Sequence, residues 1–263
     1  MATTKLAPRR PLRLERSKLE IAPYIVCTVP TYEELENILP LARALLDSRP
    51  DLAVLVIDDD SPDGTWRAVR EAGAREARLH LLHRRVERGR GSAGRAGFVR
   101  ALEMGAEIVI EMDADFSHDP AYVPTLVERL ERSGQDVGLV LGSRGVTGGR
   151  DAERGWIRQW ITIAANSYIR LLLGVRVRDC NSGFRCWRRS ALEAIRVEET
   201  FSTGPAIVQE LLYKAARAGI GIVEVPITFR CRAAGDSTLT LRTLFQGYTT
   251  VLKLRLLSLL GRI

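Results

Sequence analysis

Short, continuously apolar segments alternate with segments of helical periodicity through the first half of the chain. Runs such as LAVLVI, which have no polar position on either face, are typical of strands that are buried on both sides. Strands that alternate with helices form mainly parallel sheets whose faces the helices cover. The pattern therefore predicts an α/β fold with a single Rossmann-like, mainly parallel sheet. The apolar runs lie at residues 24–30, 52–57, 78–83, 107–112 and 137–141.

The alternation ends after Gly142, where a segment rich in glycine and arginine precedes a long amphipathic helix predicted at 156–174. Without a repeat or a low-complexity linker, we expect one domain over 23–240 with an elaboration at about 143–187. Residues 1–22 are predicted to form a flexible basic arm, and residues 241–263 an amphipathic C-terminal helix. The glycine-rich segment 89–94 is predicted as a turn that leads into a helix.

Two carboxylates one residue apart, Asp113 and Asp115, directly follow the fourth apolar run. Residues i and i+2 of an extended segment point to the same side. The carboxyl ends of strands are also where open α/β sheets bind ligands. Two anionic oxygen donors at that place suit a hard divalent cation such as Mg²⁺ or Mn²⁺. Taken alone, the pair fits a strand that runs into a solvated acidic turn equally well.

Polar segments follow three other predicted strands and should lie at the same edge of the sheet. The ring of Tyr32 could stack on a base, while Glu34 and Asp59 could accept hydrogen bonds from a nucleoside. Arg144 would place a guanidinium near the cation. A GxGxxG motif after the first strand and a GxxxxGK[ST] motif are both missing from the sequence, which argues against usual dinucleotide sites and P-loop NTPases. The three segments are residues 30–34, 58–64 and 142–149.

The net charge of +7 is compatible with nucleic acid, anionic lipid or a phosphorylated substrate as the partner. An aromatic content of only 6% and the crowded carboxylates argue against nucleic acid. No apolar run reaches 18 residues, so a transmembrane helix is not predicted. Basic residues among the apolar ones at 156–174 and 241–263 suit helices at a membrane interface. Packing of the second helix on the core or on a second subunit is an equal alternative.

Seven segments in this order resemble the motifs of the family-2 glycosyltransferases, and within them the dolichol-phosphate and polyprenol-phosphate mannose synthases. Each motif is short, but the ordered set is specific and extends over about residues 24–240. The segments are PTYEELEN (30–37), VIDDDSPDGTW (56–66), GRGSAGRAGF (89–98), MDADFSHDP (112–120), GSRGVTGG (142–149), DCNSGFR (179–185) and EVPITFRCRAAGDS (224–237).

The resemblance implies a GT-A fold, a nucleotide-sugar donor and a Mg²⁺ or Mn²⁺ ion that bridges the donor diphosphate. It also implies inverting transfer of mannose from GDP-mannose to a polyprenyl phosphate. By motif, the metal ligands would be Asp113, Asp115 and Ser117, the last at a position where relatives often have glutamine. The implied donor-binding residues are Pro30, Tyr32, Glu34, Ile57, Asp59, Asp113, Ala114, Asp115 and Ser117.

The acceptor side is implied in the same way. The acceptor phosphate would contact Arg144, Arg158, Thr162 and Arg232, and the implied catalytic residues are Asp115, Arg144 and Arg232. A phosphate acceptor is already ionised near neutral pH, so no strong general base is required. The sequence departs from the family at Thr238, where relatives commonly have lysine, and at Asp236, which adds a negative charge. We expect Arg230 or Arg242 to compensate, or the donor or acceptor preference to differ.

The expected partners are therefore a nucleotide-sugar, a polyprenyl phosphate and a peripheral membrane surface on the cytoplasmic side, without nucleic acid. A homo-oligomer or a small membrane-protein partner is compatible with the apolar helix faces. Three alternatives remain. The same fold could use UDP-glucose or another nucleotide-sugar, or a non-lipid acceptor. The chain could be a catalytically silent scaffold, or a basic nucleic-acid-binding protein.

Overall fold

The computed structural model describes residues 24–151, 156–230 and 249–256. In the helix that begins at residue 156, the side chains are described from Thr162 onward. The predicted basic arm at 1–22 lies outside these residues. So does most of the predicted C-terminal helix, of which residues 249–256 are described and helical.

Nine strands occur in the described part of the chain. They are β1 (Ile25–Thr31), β2 (Leu52–Asp58), β3 (Leu79–His83), β4 (Ile108–Glu111), β5 (Val137–Ser143), β6 (Arg150–Asp151), β7 (Arg185–Arg188), β8 (Gly221–Pro226) and β9 (Thr228–Phe229). Seven of them form the central sheet in the order β3-β2-β1-β4-β7-β5-β8, and β6 pairs with β9 in a separate two-stranded sheet. Within the central sheet of the described residues, only β7 is antiparallel to its neighbours, β4 and β5.

Helices cover the sheet on both faces. They are α1 (Leu35–Ser48), α2 (Thr65–Gly73), α3 (Arg90–Glu103), α4 (Val123–Glu131), α5 (Trp156–Leu173), α6 (Arg189–Ala194) and α7 (Ile207–Arg217). Side chains along β2 alternate between two buried clusters, one under α1, α2 and α4 and the other under α3, α5, α6 and α7. This period of two with both faces buried explains why β2 is apolar at nearly every position. The predicted α/β fold, with a mainly parallel central sheet covered by helices, is confirmed.

The glycine-rich segment differs from its prediction, because α3 begins at Arg90 and the glycines form its first turns rather than a loop. A Cβ atom on Gly91 would lie 2.3 Å from the carbonyl oxygen of Ser202 and 2.5 Å from that of Gly204. The backbone N–H of Gly91 donates to the carbonyl oxygen of Thr203 at 2.8 Å. The glycine therefore permits close packing of the start of α3 against the 202–204 backbone.

No helix among the described residues is long and apolar enough to cross a membrane. The 249–256 helix buries Val251 and Leu254 in the same cluster as α5 and α7. Its side chains Leu252 and Leu256 are exposed, so the described part of this helix is amphipathic.

Candidate active site

The polar segments predicted to share one edge of the sheet do follow strands whose carboxyl ends lie there. Thr31 at the end of β1 is in register with Asp58 at the end of β2, and Thr28 is in register with Glu111 at the end of β4. Because β7 is antiparallel, the 179–184 segment that precedes it arrives at the same edge, with Arg185 beside Glu111.

The segment after β4 holds the two aspartates and Ser117 in a tight turn. Asp115 is buried, and its Oδ1 atom accepts a hydrogen bond from the backbone N–H of Ser117 at 3.0 Å. The Oγ atom of Ser117 is buried and has no hydrogen-bond partner among the described residues. A buried hydroxyl oxygen without a partner is costly, so it fits a position that a ligand satisfies.

These residues fit a divalent cation with few protein ligands. The described residues contain no group of three or more His, Cys, Asp or Glu arranged to hold a metal. Two carboxylates and a hydroxyl leave positions for water and substrate phosphate, which is how Mg²⁺ is usually bound. The unpaired Oγ of Ser117 therefore supports the fit, and the metal assignment itself stays a prediction.

Arg90 at the start of α3 forms an ion-pair network with the fully buried Glu111 and with Asp113, whose side chain is partly exposed. Its Nη2 atom donates to Glu111 Oε1 at 3.0 Å, and its Nε and Nη2 atoms both donate to Asp113 Oδ1, at 3.2 and 3.1 Å. Burial alone would lower the pKa of Arg90, but the carboxylates of Asp113 and Glu111 outweigh burial and raise it. We refer to Glu111, Asp113 and Asp115 as the carboxylate cluster.

His118, which its sequence spacing did not single out, packs against this cluster. Its ring stacks on Phe184 at 5.2 Å between centroids and meets the edge of Phe229 at 5.4 Å. Its Nδ1 atom accepts the backbone N–H of Asp113 at 3.4 Å. Burial lowers the pKa of His118 against the raising effect of Asp113 and Asp115, which favours the neutral ring that accepts the Asp113 N–H.

Arg144 lies at the end of β5 and is fixed by a buried carboxylate. Its Nε and Nη2 atoms donate to the two oxygens of Asp179, at 2.7 and 2.8 Å, and its backbone N–H donates to the same carboxylate at 3.0 Å. Burial would raise the pKa of Asp179, but Arg144 outweighs burial and lowers it. The guanidinium also lies 5.0 Å from the centre of the Phe229 ring. Arg144 is therefore held in one orientation.

A cavity of about 650 Å³ opens beside Arg144. Arg144 and Thr162, two of the residues predicted to contact the acceptor phosphate, both line it. The side chain of Arg158 and all of Arg232 lie outside the described residues, so their predicted roles stay predictions. We call this space the arginine cavity, after the guanidinium groups that line it: Arg144, Arg150, Arg170 and Arg178.

The last three of these arginines were not predicted from the sequence. Arg170 lies eight residues after Thr162 on α5, close to the helical period that places both on one face. Arg150 and Arg178 flank the cavity from β6 and from the segment before β7. Only the tertiary fold brings these segments together.

The predicted nucleoside-binding residues lie around the ends of β1 and β2. The side chain of Tyr32 is 49% exposed and therefore accessible to a base. Glu34 accepts a hydrogen bond from the Asn37 side chain at 2.8 Å. Asp59 accepts the backbone N–H of Gly89 at 2.7 Å, which ties the end of β2 to the start of α3.

The remaining predicted donor residues are more enclosed. Ile57 is fully buried in the core, and its Cδ1 atom would meet a Cβ atom on Gly97 at 2.8 Å. Pro30 is half-buried and Ala114 is buried. Arg230, expected to compensate for Thr238, lies 3.8 Å from the carboxylate of Asp119, whereas Arg242, Asp236 and Thr238 lie outside the described residues.

Comparison with known sequences identifies relatives that are all glycosyltransferases. The sequence profile of Glycosyl transferase family 2 matches residues 27–196. The chain is 38% identical over 216 residues to the undecaprenyl-phosphate mannosyltransferase of Micrococcus luteus. The aligned region covers 82% of this chain and 87% of that protein. It is also 38% identical over 213 residues to the polyprenol monophosphomannose synthase of Mycolicibacterium smegmatis, covering 81% and 79%.

A more distant relative and a solved structure extend the comparison. The chain is 33% identical over 223 residues to the dolichol-phosphate mannosyltransferase of Pyrococcus furiosus, covering 83% of this chain and 60% of that protein. Glucosyl-3-phosphoglycerate synthase from Mycobacterium tuberculosis, solved with Mn²⁺, UDP-glucose and phosphoglyceric acid, superposes with a TM-score of 0.61 at 21% identity, covering 90% of this chain and 79% of that one. At that identity the likeness concerns the fold alone, and with the family match it confirms the predicted GT-A fold.

Proposed function

Because the chain belongs to glycosyl transferase family 2 and is a glycosyltransferase, we propose that it transfers mannose from GDP-mannose to a polyprenyl phosphate with inversion at the anomeric carbon. Relatives named as polyprenol-phosphate mannosyltransferases align over most of the chain and support this choice of sugar and acceptor. One observation carries the proposal. The ring of Phe229 contacts both His118, which packs on the carboxylate cluster, and Arg144, which lines the arginine cavity.

On the donor side, Asp113, Asp115 and Ser117 would hold Mg²⁺ or Mn²⁺. A divalent ion bound there neutralises the charge that builds on the leaving diphosphate. The buried Ser117 Oγ and the turn that fixes Asp115 support this assignment. Asp115 is the residue on which we expect the reaction to depend most.

On the acceptor side, Arg144 and Thr162 would bind the acceptor phosphate, with Arg158 and Arg232 completing the site. A guanidinium binds phosphate through paired hydrogen bonds. Asp179 and Phe229 fix Arg144 before substrate arrives, so less reorganisation is needed during the reaction. The phosphate oxygen, already ionised, would attack the anomeric carbon as the nucleoside diphosphate leaves.

The nucleoside would lie along the ends of β1 and β2. The exposed ring of Tyr32 supports stacking on the base. We assign Pro30, Glu34, Ile57, Asp59 and Ala114 to the remaining contacts by motif. The geometry favours no particular base, so GDP is proposed from the motif resemblance alone.

We also propose that the protein works at the cytoplasmic face of a membrane, as a catalytic domain over 23–240 whose 143–187 region serves the acceptor. Ile163, which lines the arginine cavity, and Leu171 are both exposed on α5. Leu252 and Leu256 are exposed on the 249–256 helix, beside Lys253. Exposed apolar side chains among cations suit an interface with anionic lipid. A second copy or a small membrane protein could cover the same side chains.

The test combines donors and acceptors in the presence of Mn²⁺. GDP-mannose and UDP-glucose are each offered with a short polyprenyl phosphate or with a water-soluble phosphate monoester. We expect mannosyl transfer to the polyprenyl phosphate, lost in Asp115→Ala and retained in Asp47→Ala, a surface carboxylate on α1. Preferred transfer from UDP-glucose would overturn the donor assignment, and activity in Asp115→Ala would overturn the metal assignment. No transfer in any combination would favour a silent scaffold.

A further inference from the structure

Arg90 places a positive charge directly on a predicted metal ligand. Both of its hydrogen bonds to Asp113 go to one oxygen, Oδ1, while its Nη2 atom also bonds Glu111. The surroundings are shaped around this guanidinium. A Cβ atom on Gly94 would lie 3.2 Å from Arg90 Nη1, and one on Gly183 would lie 3.7 Å from Nη2.

The network is incomplete as an ion pair, which distinguishes it from a purely structural salt bridge. The Glu111 side chain is fully buried, yet Glu111 Oε2 and Arg90 Nη1 have no hydrogen-bond partners among the described residues. A structural pair at this depth is stable only when its remaining atoms are satisfied. Two of the three hydrogen bonds of Arg90 go instead to Asp113, whose side chain is 39% exposed at the edge of the site.

We propose that Arg90 is a resident cation of the metal site, which competes with the divalent ion for Asp113 and weakens its binding. The inference rests on the proposed function, since it takes Asp113 as a metal ligand. Arg90 acts as a positioning residue through Asp113. Glu111 has the opposite effect, because its buried negative charge offsets Arg90 and reduces the repulsion that the metal ion meets.

The proposal predicts effects of opposite sign from two residues that are bonded to each other. Arg90→Met should tighten binding of Mn²⁺ about tenfold, because a repelling charge within a few ångströms of a dication is removed. Glu111→Gln should weaken it about tenfold, because the charge of Arg90 is no longer offset. Arg90→Lys, which keeps the charge, should remain closer to the wild type. Loss of structure alone would weaken binding in every variant.

The experiment measures binding of Mn²⁺ alone to the full chain by electron paramagnetic resonance. Arg100→Met is the matched control, since Arg100 is an exposed arginine of the same helix that pairs with Glu103. Should Arg90→Met unfold, Arg90→Met/Glu111→Gln removes both charges together and should bind Mn²⁺ about ten times more tightly than Glu111→Gln alone. Circular dichroism checks that each variant is folded.

The outcomes separate this inference from the proposed function. If Asp115→Ala binds Mn²⁺ as the wild type does, the metal site is overturned, and the role of Arg90 with it. If Asp115→Ala loses Mn²⁺ while Arg90→Met binds no tighter than the wild type and the double variant binds no tighter than Glu111→Gln, the metal site stands and the role of Arg90 is overturned. Tighter binding in Arg90→Met together with weaker binding in Glu111→Gln supports the inference.

Discussion

The carboxylate cluster and the arginine cavity each contain an arginine bonded to an aspartate, but the partner that is more exposed differs between the two pairs. In the cavity, Asp179 is almost wholly buried and accepts three hydrogen bonds from Arg144, which faces the open space. In the cluster, Asp113 is the more exposed partner, and the less exposed Arg90 donates two hydrogen bonds to it. The more exposed charge is thus the anion of Asp113 in the cluster and the cation of Arg144 in the cavity.

This difference explains how one sheet edge could bind a metal ion and a phosphate a short distance apart. A charge that faces substrate is kept in place by a buried charge of the opposite sign, which limits the cost of holding it there. The support differs in completeness, because Asp179 is bonded on both oxygens whereas Glu111 Oε2 lacks a partner among the described residues. We expect the cavity to be rigid and the cluster to respond to its ligand.

The largest expected effect is the loss of the buried support in the cavity. Asp179→Ala leaves Arg144 buried without a counter-charge and should lower the free energy of unfolding by about 3–5 kcal/mol, measured by urea denaturation. Asp51→Ala is the matched control, because Asp51 makes the same two-point contact with Arg49 at the surface. It should cost no more than about 1 kcal/mol. Equal losses in both variants would contradict the rigid cavity.

Replacement of Arg144, the more exposed charge of the cavity pair, should affect catalysis more than stability. Arg144→Lys keeps the charge but loses the planar fork that Asp179 holds, so kcat/KM for the phosphate acceptor should fall about 10- to 100-fold. The KM for the donor should change little, since the carboxylate cluster is intact. Arg132→Lys, at an exposed position on the surface, serves as control. A change confined to the donor KM would place Arg144 on the wrong side of the reaction.

The cluster depends on the position of α3, which carries Arg90. Gly91→Ala introduces a Cβ atom 2.3 Å from the carbonyl oxygen of Ser202 and should cost about 1–3 kcal/mol in thermal or urea unfolding. Gly204→Ala, on the opposite side of the same contact, meets nothing within 4 Å and should be nearly neutral. If both variants are neutral, the contact does not fix α3.

The two regions also differ in how far their sequences reveal them. The apolar runs predicted the sheet because the burial of a strand shows in the residues of that strand alone. The spacing of Asp113 and Asp115 predicted two neighbouring carboxylates because it, too, depends only on residues adjacent in the sequence. Arg90 and His118 were missed as site residues. Arg90 contacts Asp113 from the start of α3, which is distant in the sequence. His118 is positioned by the turn after β4 and by the rings of Phe184 and Phe229.

The arginine cavity was only partly predictable. The antiparallel insertion of β7 between β4 and β5 brings Asp179 to the edge of the sheet, and no local pattern in the sequence indicates that reversal. Arg150 and Arg178 come from separate segments that meet only in the folded chain. The assignments of individual site residues remain predictions, which the variants above test.

The smallest expected effect concerns pH and tests whether the cavity is held by an ion pair. Arg144 lowers the pKa of Asp179 below its ordinary value of 3.8. A carboxylate with a depressed pKa stabilises the fold fully above its unfolded pKa and loses that contribution as pH falls through the folded value. The difference in thermal midpoint between the wild type and Asp179→Asn should therefore be constant from neutral pH down to about pH 4 and shrink below it. A difference that persists unchanged at pH 3 would mean that hydrogen bonding, rather than charge, holds Arg144 in place.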